Sequence, residues 1–543
     1  LAFAAMLALG AGEASAFDID TGNPDLAIRF DNTVRLNYGM RVESRDNKIG
    51  NSVLADEGDY RFDNGQAVAK RIDLLSEFDL VYKKHYGMRV SAAGWYDAAY
   101  DGTSKSNPNP PFVNIPSYVN HQYSSTTKRF YEGPSGEILD AFVFGGADLG
   151  DVPVQGKLGR HTIYWGESLL LGGHLHSVSY AQVPLDLQKG FATPGTEAKE
   201  LFRPLNQLSG QAQVTDTLSI AGQYLLEWEP ARYPEGGTYL GPVDFVFNGP
   251  DRQFLSQAAG FATRGPAFEP RQSGEFGLSA RWTPAWLDGT MGFYYRDFAD
   301  KLPQVLLTQR GVNTSQYNLV YADNIKLYGV SVAKNIAGVS TSAELSYREN
   351  TPLASQTLGF APGVPGKGET NGARGDTWHA VVNAVGTVAK TPVFDAASWV
   401  AELSASRWVT VRSGANLFNA VGFAPCTGKD KWDGCVTKNY AGIGIGFSPT
   451  WFQVFPGVDL QAPIAYAIGL SGNAATTFGG NEHLGNYTIG VSADVQQKYR
   501  FDLKYIDFVG HYKDNGTAVT STNGLTTFLK DRGFLSLTFK TTF

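Results

Sequence analysis

The stretch GFLSLTFKTTF at 533–543 puts apolar and polar side chains on alternate positions. Phe543, Thr541, Phe539, Leu537 and Leu535 fall on one side, and Thr542, Lys540, Thr538 and Ser536 on the other. A period of two is that of a half-buried β-strand. In a sandwich, a strand ending the chain leaves a row of unpaired N–H and C=O groups as an open edge. A closed sheet has no such edge, because its last strand pairs with its first. The expectation is therefore a barrel, and the start of the chain must supply a partner of the same kind.

Residues 27–42 do so. Ile28, Phe30, Val34, Leu36, Tyr38, Met40 and Val42 occupy even positions, with Asn32 the single exception, and Arg29, Asp31, Thr33, Arg35, Asn37, Gly39 and Arg41 occupy odd ones. This run is longer than the usual soluble strand, and its charge is confined to one face. Similar segments recur at 71–83, 88–96, 138–148, 154–161, 218–229, 275–283, 290–298, 325–335 and 339–348. Others follow at 377–388, 399–409, 440–447, 458–469, 487–497, 499–512 and 532–543, and 211–214 reads as a short additional one. The count is roughly 16–18, and an even number is expected of a bacterial outer-membrane barrel.

The connections alternate in length. Turns near Lys84, Asp288, Ala337 and Lys498 are short, whereas 43–70, 100–137, 230–274, 300–324, 349–376 and 412–439 are long. Membrane barrels sort their loops in this way, short on one side and long on the other. Tyr96, Trp228, Trp282, Tyr294, Tyr295 and Trp408 lie near strand ends, where interfacial girdles form. With 62 Gly, 26 Tyr and 33 Phe against 4 Met, the composition is one of strands and turns. A net charge of −7 argues against nucleic acid as a partner. Beyond the first residues no apolar run reaches the roughly 18–20 residues of a membrane-spanning helix. The reading is an all-β chain forming a single large transmembrane antiparallel barrel in contact with membrane lipid.

Residues 1–16, LAFAAMLALGAGEASA, read as the apolar part of a secretory signal peptide with Ala14 and Ala16 at the cleavage positions. The mature barrel is then expected over 17–543. Export to an oxidising compartment suits Cys426 and Cys435, which flank a short polar loop and are expected to form a disulfide.

One stretch, 159–208, does not alternate. It contains Thr196 followed by EAKELF, a capped short helix stopping before Pro204. Some fifty residues of helix and loop exceed an ordinary hairpin connection. We expect this insertion to enter the barrel and constrict it. Arg160, His161, Trp165, Glu167, Leu169, Leu170, Leu171, His174, His176, Phe191, Leu201 and Arg203 are the candidate lining residues. The apolar members offer a greasy surface within an otherwise polar lumen. His174 and His176 share a face if the stretch is extended, as zinc ligands can, but spacing fixes no third ligand and no metal is expected. No G-x-S-x-G elbow stands on a strand-to-helix turn, and no catalytic residue or cofactor is assigned. On the neighbouring walls, Arg29, Arg35 and Arg41 are expected to pair across strands with Asp73, Glu77 and Asp79.

FDID at 17–20, LGRHTIYWGES at 158–168, PGTEAKELFRPL at 194–205 and the alternating C-terminal strand together resemble one family. It is the proteobacterial outer-membrane family known as domain of unknown function 1302. The resemblance implies the outer membrane of a Gram-negative bacterium. It also implies a periplasmic lipoprotein-like partner and an inner-membrane exporter, in the handling of hydrophobic compounds. A strand ending on an aromatic residue such as Phe543 also resembles the signature read by the barrel-assembly machinery. The function expected is a channel or conduit for hydrophobic or amphipathic small molecules or lipids. The alternatives are a general diffusion porin for small hydrophilic solutes and a docking barrel for the periplasmic partner.

Overall fold

Each alternating segment falls on a strand in the computed structural model, which describes residues 17–111, 115–170, 177–178, 183–193, 196, 198–366 and 369–543. The expected leader, 1–16, lies outside the described residues. The wall strands, numbered along the chain, begin with β1 (Leu26–Arg41), β2 (Ala67–Tyr82), β3 (Tyr86–Asp97), β4 (Ser135–Leu149), β5 (Val152–His161) and β6 (Leu205–Thr215). Next come β7 (Leu218–Leu225), β8 (Phe276–Trp282), β9 (Thr290–Phe298), β10 (Ile325–Ile336), β11 (Val339–Pro352) and β12 (Arg374–Val388). The series ends with β13 (Ala396–Ser413), β14 (Asn439–Phe455), β15 (Val458–Gln461 and Ile464–Ser471), β16 (Gly485–Val495), β17 (Tyr499–Val509) and β18 (Phe534–Thr542).

All neighbours are antiparallel. β18 pairs with both β17 and β1, Leu537 opposite Tyr38, which closes an 18-strand barrel. β15 is one strand in two pieces, and Pro463, which has no N–H to give the ladder, stands at the break. The edge that an open sheet would leave is thus absent.

Alternation sets which side faces out. Leu36 and Tyr38 are each 45% exposed, while Arg35 and Asn37 between and beside them are buried at 2% and 4%. Leu537 on β18 is 50% exposed, and its neighbours Ser536 and Thr538 are buried. Leu74, Val143, Leu158, Leu278, Val330, Leu403 and Ile489 continue the apolar exterior around the wall. A soluble sheet covers its apolar face; this one turns it outward all the way round, as a barrel in hydrocarbon must. The chain spans a membrane by strands.

The eight even-to-odd hairpins (β2–β3 through β16–β17) are short, down to the two-residue turn Ala337–Gly338, both at positive φ as a tight right-twisted hairpin requires. The connections at the other end are long: 42–66, 98–134, 162–204, 226–275, 299–324, 353–373, 414–438, 472–484 and 510–533. They fold together in the barrel mouth. Phe62, Tyr100, Tyr118, Tyr123, Tyr131 and Tyr239 pack as one buried cluster against Val68 and Phe534 of the wall. Trp228, Phe245, Phe247, Tyr317, Tyr321 and Phe528 form a second. Three of these loops also build a sheet of their own from Arg252–Ser256, Gly260–Arg264, Gln304–Gln309, Ser315–Val320 and Gly359–Phe360.

Two differences from the sequence reading concern the insertion. Wall strands take both its ends, so the part off the wall is 162–204, and 211–214 belongs to the full-length β6. The outward positions of β6 include Gly210 and Ala212, whose small side chains hid its alternation. Within the insertion, helices cover Leu187–Ala192 and Ala198–Leu201.

Candidate functional site

After β5 the chain leaves the wall and crosses the lumen. Trp165 packs with Tyr294, Phe298 and Leu327, inner residues on or beside β9 and β10. The backbone N–H of Glu167 donates to Glu344 Oε2 on β11 at 2.9 Å, and the Glu167 carboxylate accepts from Ser331 Oγ at 3.1 Å. Arg281 on β8 lies 3.7 Å from the same carboxylate. Ser168 Oγ and the Leu169 N–H then donate to Glu402 on β13, at 3.2 and 2.6 Å. Leu170, fully buried, packs on Val400 and Ala467. β5 and β13 stand eight strands apart in a ring of eighteen, so the strand-to-strand span is nearly a diameter. Leu171, His174 and His176 lie outside the described residues.

The return reaches the wall elsewhere. Asp186 meets Arg232 at 2.9 Å, and Glu200 grips Arg35 of β1 through two bonds of 2.8 and 3.2 Å. Arg203 donates to the Pro230 carbonyl and to Glu229, which also accepts from Arg160 at 3.2 Å. Burial, reinforced by Arg232 alongside, pulls the Arg203 guanidinium down to about 10. Leu201 is buried, 1% exposed. Tyr164 stacks edge-on against Phe202, centroids 4.9 Å apart, and burial pushes its hydroxyl up to about 12.

Two cavities flank this crossing. Towards the short turns lies one of about 660 Å³, walled by Arg89, Phe142, Lys157 and Arg281 and roofed by Ile163, Tyr164 and Trp165. Towards the long loops lies one of about 210 Å³, lined chiefly by apolar groups of Leu187, Phe191, Tyr233, Leu240, Ala467, Phe478 and Leu529.

The cross-strand ion pairs need correction. Of the six residues, only Arg35 and Asp73 face each other as a pair, at 3.8 Å. Arg29 turns to Asp31 on its own strand. Glu77 and Asp79 both bind Arg89 of β3, which stands opposite Asp79 on the other side and gathers Asp140 as well. Arg41 lies beyond the carboxylates of β2 and binds Asp59 and Asp531, both from long loops. Sequence gave the face of each residue, but a middle strand has two neighbours and long loops add a third source of partners.

His161 Nε2 is 2.7 Å from Ser209 Oγ and its Nδ1 2.9 Å from the Gly159 carbonyl, both within the wall. Among the described residues no group of three His, Cys, Asp or Glu could hold a metal. Cys426 and Cys435 are joined as a disulfide within 414–438. Phe543 continues the β18 pairing, exchanging backbone hydrogen bonds with Asn32 at 2.8 and 3.0 Å, and its side chain is 54% exposed. Sequence reasoning missed Glu344 and Glu402, although each is a lone carboxylate on the inner face of its strand, between Ser342 and Ser346 and between Val400 and Ser404.

A family model described as protein of unknown function (DUF1302) matches residues 1–543. The chain belongs to this family. No curated protein matches it. Among solved structures it is similar to OccAB1 of Acinetobacter baumannii, at 10% identity and TM-score 0.41, covering 98% of this chain and 99% of that one. OpdK of Pseudomonas aeruginosa with vanillate aligns at 8% identity and TM-score 0.40, covering 95% and 98%. A BenF-like porin from Pseudomonas fluorescens Pf-5 aligns at 9% and 0.40, with the same coverage. Likeness at this level carries nothing about what passes through the barrel of a DUF1302 protein.

Proposed function

We propose that this protein is an outer-membrane conduit of a Gram-negative bacterium for hydrophobic or amphipathic small molecules or lipids, with no chemistry of its own. The supporting observation is the apolar cavity within the lumen, beside the crossing segment and lined by Leu187 and Phe191. An 18-strand barrel left empty would hold a water-filled channel. Here the crossing segment and the packed mouth occupy that space, which favours a selective conduit over a general diffusion porin. Apolar walls give a hydrophobic solute a resting place that a sugar does not gain from.

The test is uptake into liposomes carrying the purified protein. Small sugars are expected to enter slowly, and an apolar dye measurably faster than through protein-free vesicles. Phe191→Ser with Leu169→Ser is expected to cut dye entry several-fold and leave sugar entry unchanged. A large steady conductance in the untouched protein, indifferent to both changes, would instead establish the diffusion porin.

A further inference from the structure

The mouth is held by a cluster of acids that the conduit reading does not use. Asp56, Glu57 and Asp244 are each 2% exposed. Asp56 and Glu57 open the short helix Asp56–Tyr60 in loop 42–66, and Asp244 comes from loop 226–275. They tie three loops together. Glu57 accepts from both the N–H and the hydroxyl of Ser117 in loop 98–134, the latter at 2.8 Å. Asp56 accepts from the Asn107 N–H of the same loop at 2.7 Å. The Glu57 N–H in turn donates to Asp244 Oδ2 at 3.2 Å, while Asp244 Oδ1 is buried with no hydrogen-bond partner among the described residues.

Among the described residues the charges around the cluster offset it only in part: Arg532 favours the Asp244 carboxylate, but less than Asp56 and Glu57 oppose it. Arg532, from loop 510–533, spends its guanidinium on the carbonyls of Tyr239, Gly241 and Ala55. Arg41 and Arg45 are committed to Asp59, and Arg41 also to Asp531. Arg61 donates to the carbonyls of Ala99 and Asp101. Tyr118 and Tyr123, the remaining titratable groups near Glu57, are buried phenols and stay neutral. Three adjacent buried carboxylates facing such surroundings cannot all be ionised without repulsion and desolvation.

We propose that Asp56, Glu57 and Asp244 form a proton-held latch, which keeps the loop plug in the barrel mouth while it holds protons and releases the plug when it loses them. This deepens the conduit reading and rests on it, since the plug matters only if solute passes the mouth. Burial, with Asp56 adding to it, raises Glu57 to about 8, and burial with the charges of Asp56 and Glu57 raises Asp244 well above the carboxylate range. Acids whose affinity for protons is higher folded than unfolded stabilise the fold fully below the unfolded value of about 4. That stabilisation is lost as pH rises through the folded values, so the plug loosens going from neutral to alkaline pH.

The experiment reads two quantities on the same full-length protein in liposomes. Backbone hydrogen exchange at 54–60, 115–119 and 236–247, corrected for the intrinsic pH dependence, is expected to speed up at least five-fold between pH 6 and pH 9. Dye entry is expected to rise with it. Asp244→Asn and Glu57→Gln are each expected to flatten the rise, with gel mobility before and after boiling confirming a folded barrel. If exchange rises but flux does not, the latch stands and the conduit reading falls. Corrected exchange that stays flat in the wild type, or an unaltered rise in both folded variants, would overturn the latch.

Discussion

On the wall, Leu36 and Tyr38 face outward and Arg35 and Asn37 inward, and the next strand repeats the rule with Ile72 and Leu74 against Arg71 and Asp73. In the mouth, Tyr118 and Phe62 are buried without any period, beside Arg532 and Asp59, which are buried as charges. The wall is specified one residue at a time by which side faces lipid, and its backbone ladder makes each strand depend on its two neighbours. The plug is specified by partners far apart in the chain, such as Arg41 with Asp531. A change in the wall should therefore be felt by assembly. A change in the plug should be felt by the loops and leave the barrel closed.

The strongest test of that division is Arg41→Met, at the end of β1, because its backbone belongs to the wall while its guanidinium is spent on the plug. The guanidinium is fully buried and donates to the carbonyls of Asp59, Phe62 and Asp531 while pairing with the Asp59 carboxylate at 2.8 Å. Removing it deprives Asp531 of its Arg41 pair and leaves Asp59 only the longer 3.5 Å contact to Arg45, a loss of about 3–5 kcal/mol. Hydrogen exchange in 42–66 and 510–533 is expected to rise sharply, while unboiled protein still runs as a folded barrel. Loss of the folded band would show that wall and plug do not fold separately.

The same division explains what could be read from sequence. Strand count, closure, facing and the alternation of loop lengths all follow from the period of two, which survives in single residues such as Leu537 and Thr538. The insertion was visible as the place where that period stops. Its anchors were not, because Glu344 and Glu402 meet it across a lumen whose width depends on the strand number. The loop sheet escaped for a different reason. Gln304–Gln309 and Ser315–Val320 are nearly buried throughout, and a strand covered on both sides has no polar face to betray it. Arg29 and Arg41 were assigned to the correct face and the wrong partners, since facing is local and pairing is not.

A second test uses the disulfide. Cys426 and Cys435, nine residues apart, close a small ring, and both are buried within loop 414–438. Cross-linking so short a segment stabilises by roughly 2–3 kcal/mol through the entropy it removes from the open loop. Reduction is expected to expose two thiols to alkylation and raise exchange within 414–438 only. If reduction also released 42–66, the loops would be a single cooperative body rather than a set of separately tied ones.

The mildest change probes a contact where the insertion meets the wall through an ion pair. Glu200 holds Arg35 by two hydrogen bonds, and Asp73 stands 3.8 Å away on the neighbouring strand as a reserve counter-charge. Glu200→Gln keeps an acceptor oxygen for one guanidinium nitrogen, while it removes the charge and the acceptor that faces the other. Because Asp73 remains, Arg35 is not left without an anion, and the loss should be about 1–2 kcal/mol, below the cost of a bare buried charge. Exchange is expected to rise two- to ten-fold at 185–193 and 198–201 and nowhere on β1 or β2. Asp73→Asn should do the reverse, disturbing Arg71, which it binds at 2.9 Å on its own strand, more than the insertion. Equal responses of the insertion to both changes would mean that Arg35 couples the crossing segment to the wall more tightly than the distances imply. No response to Glu200→Gln would mean that the anchors at Glu344 and Glu402 hold the segment without it.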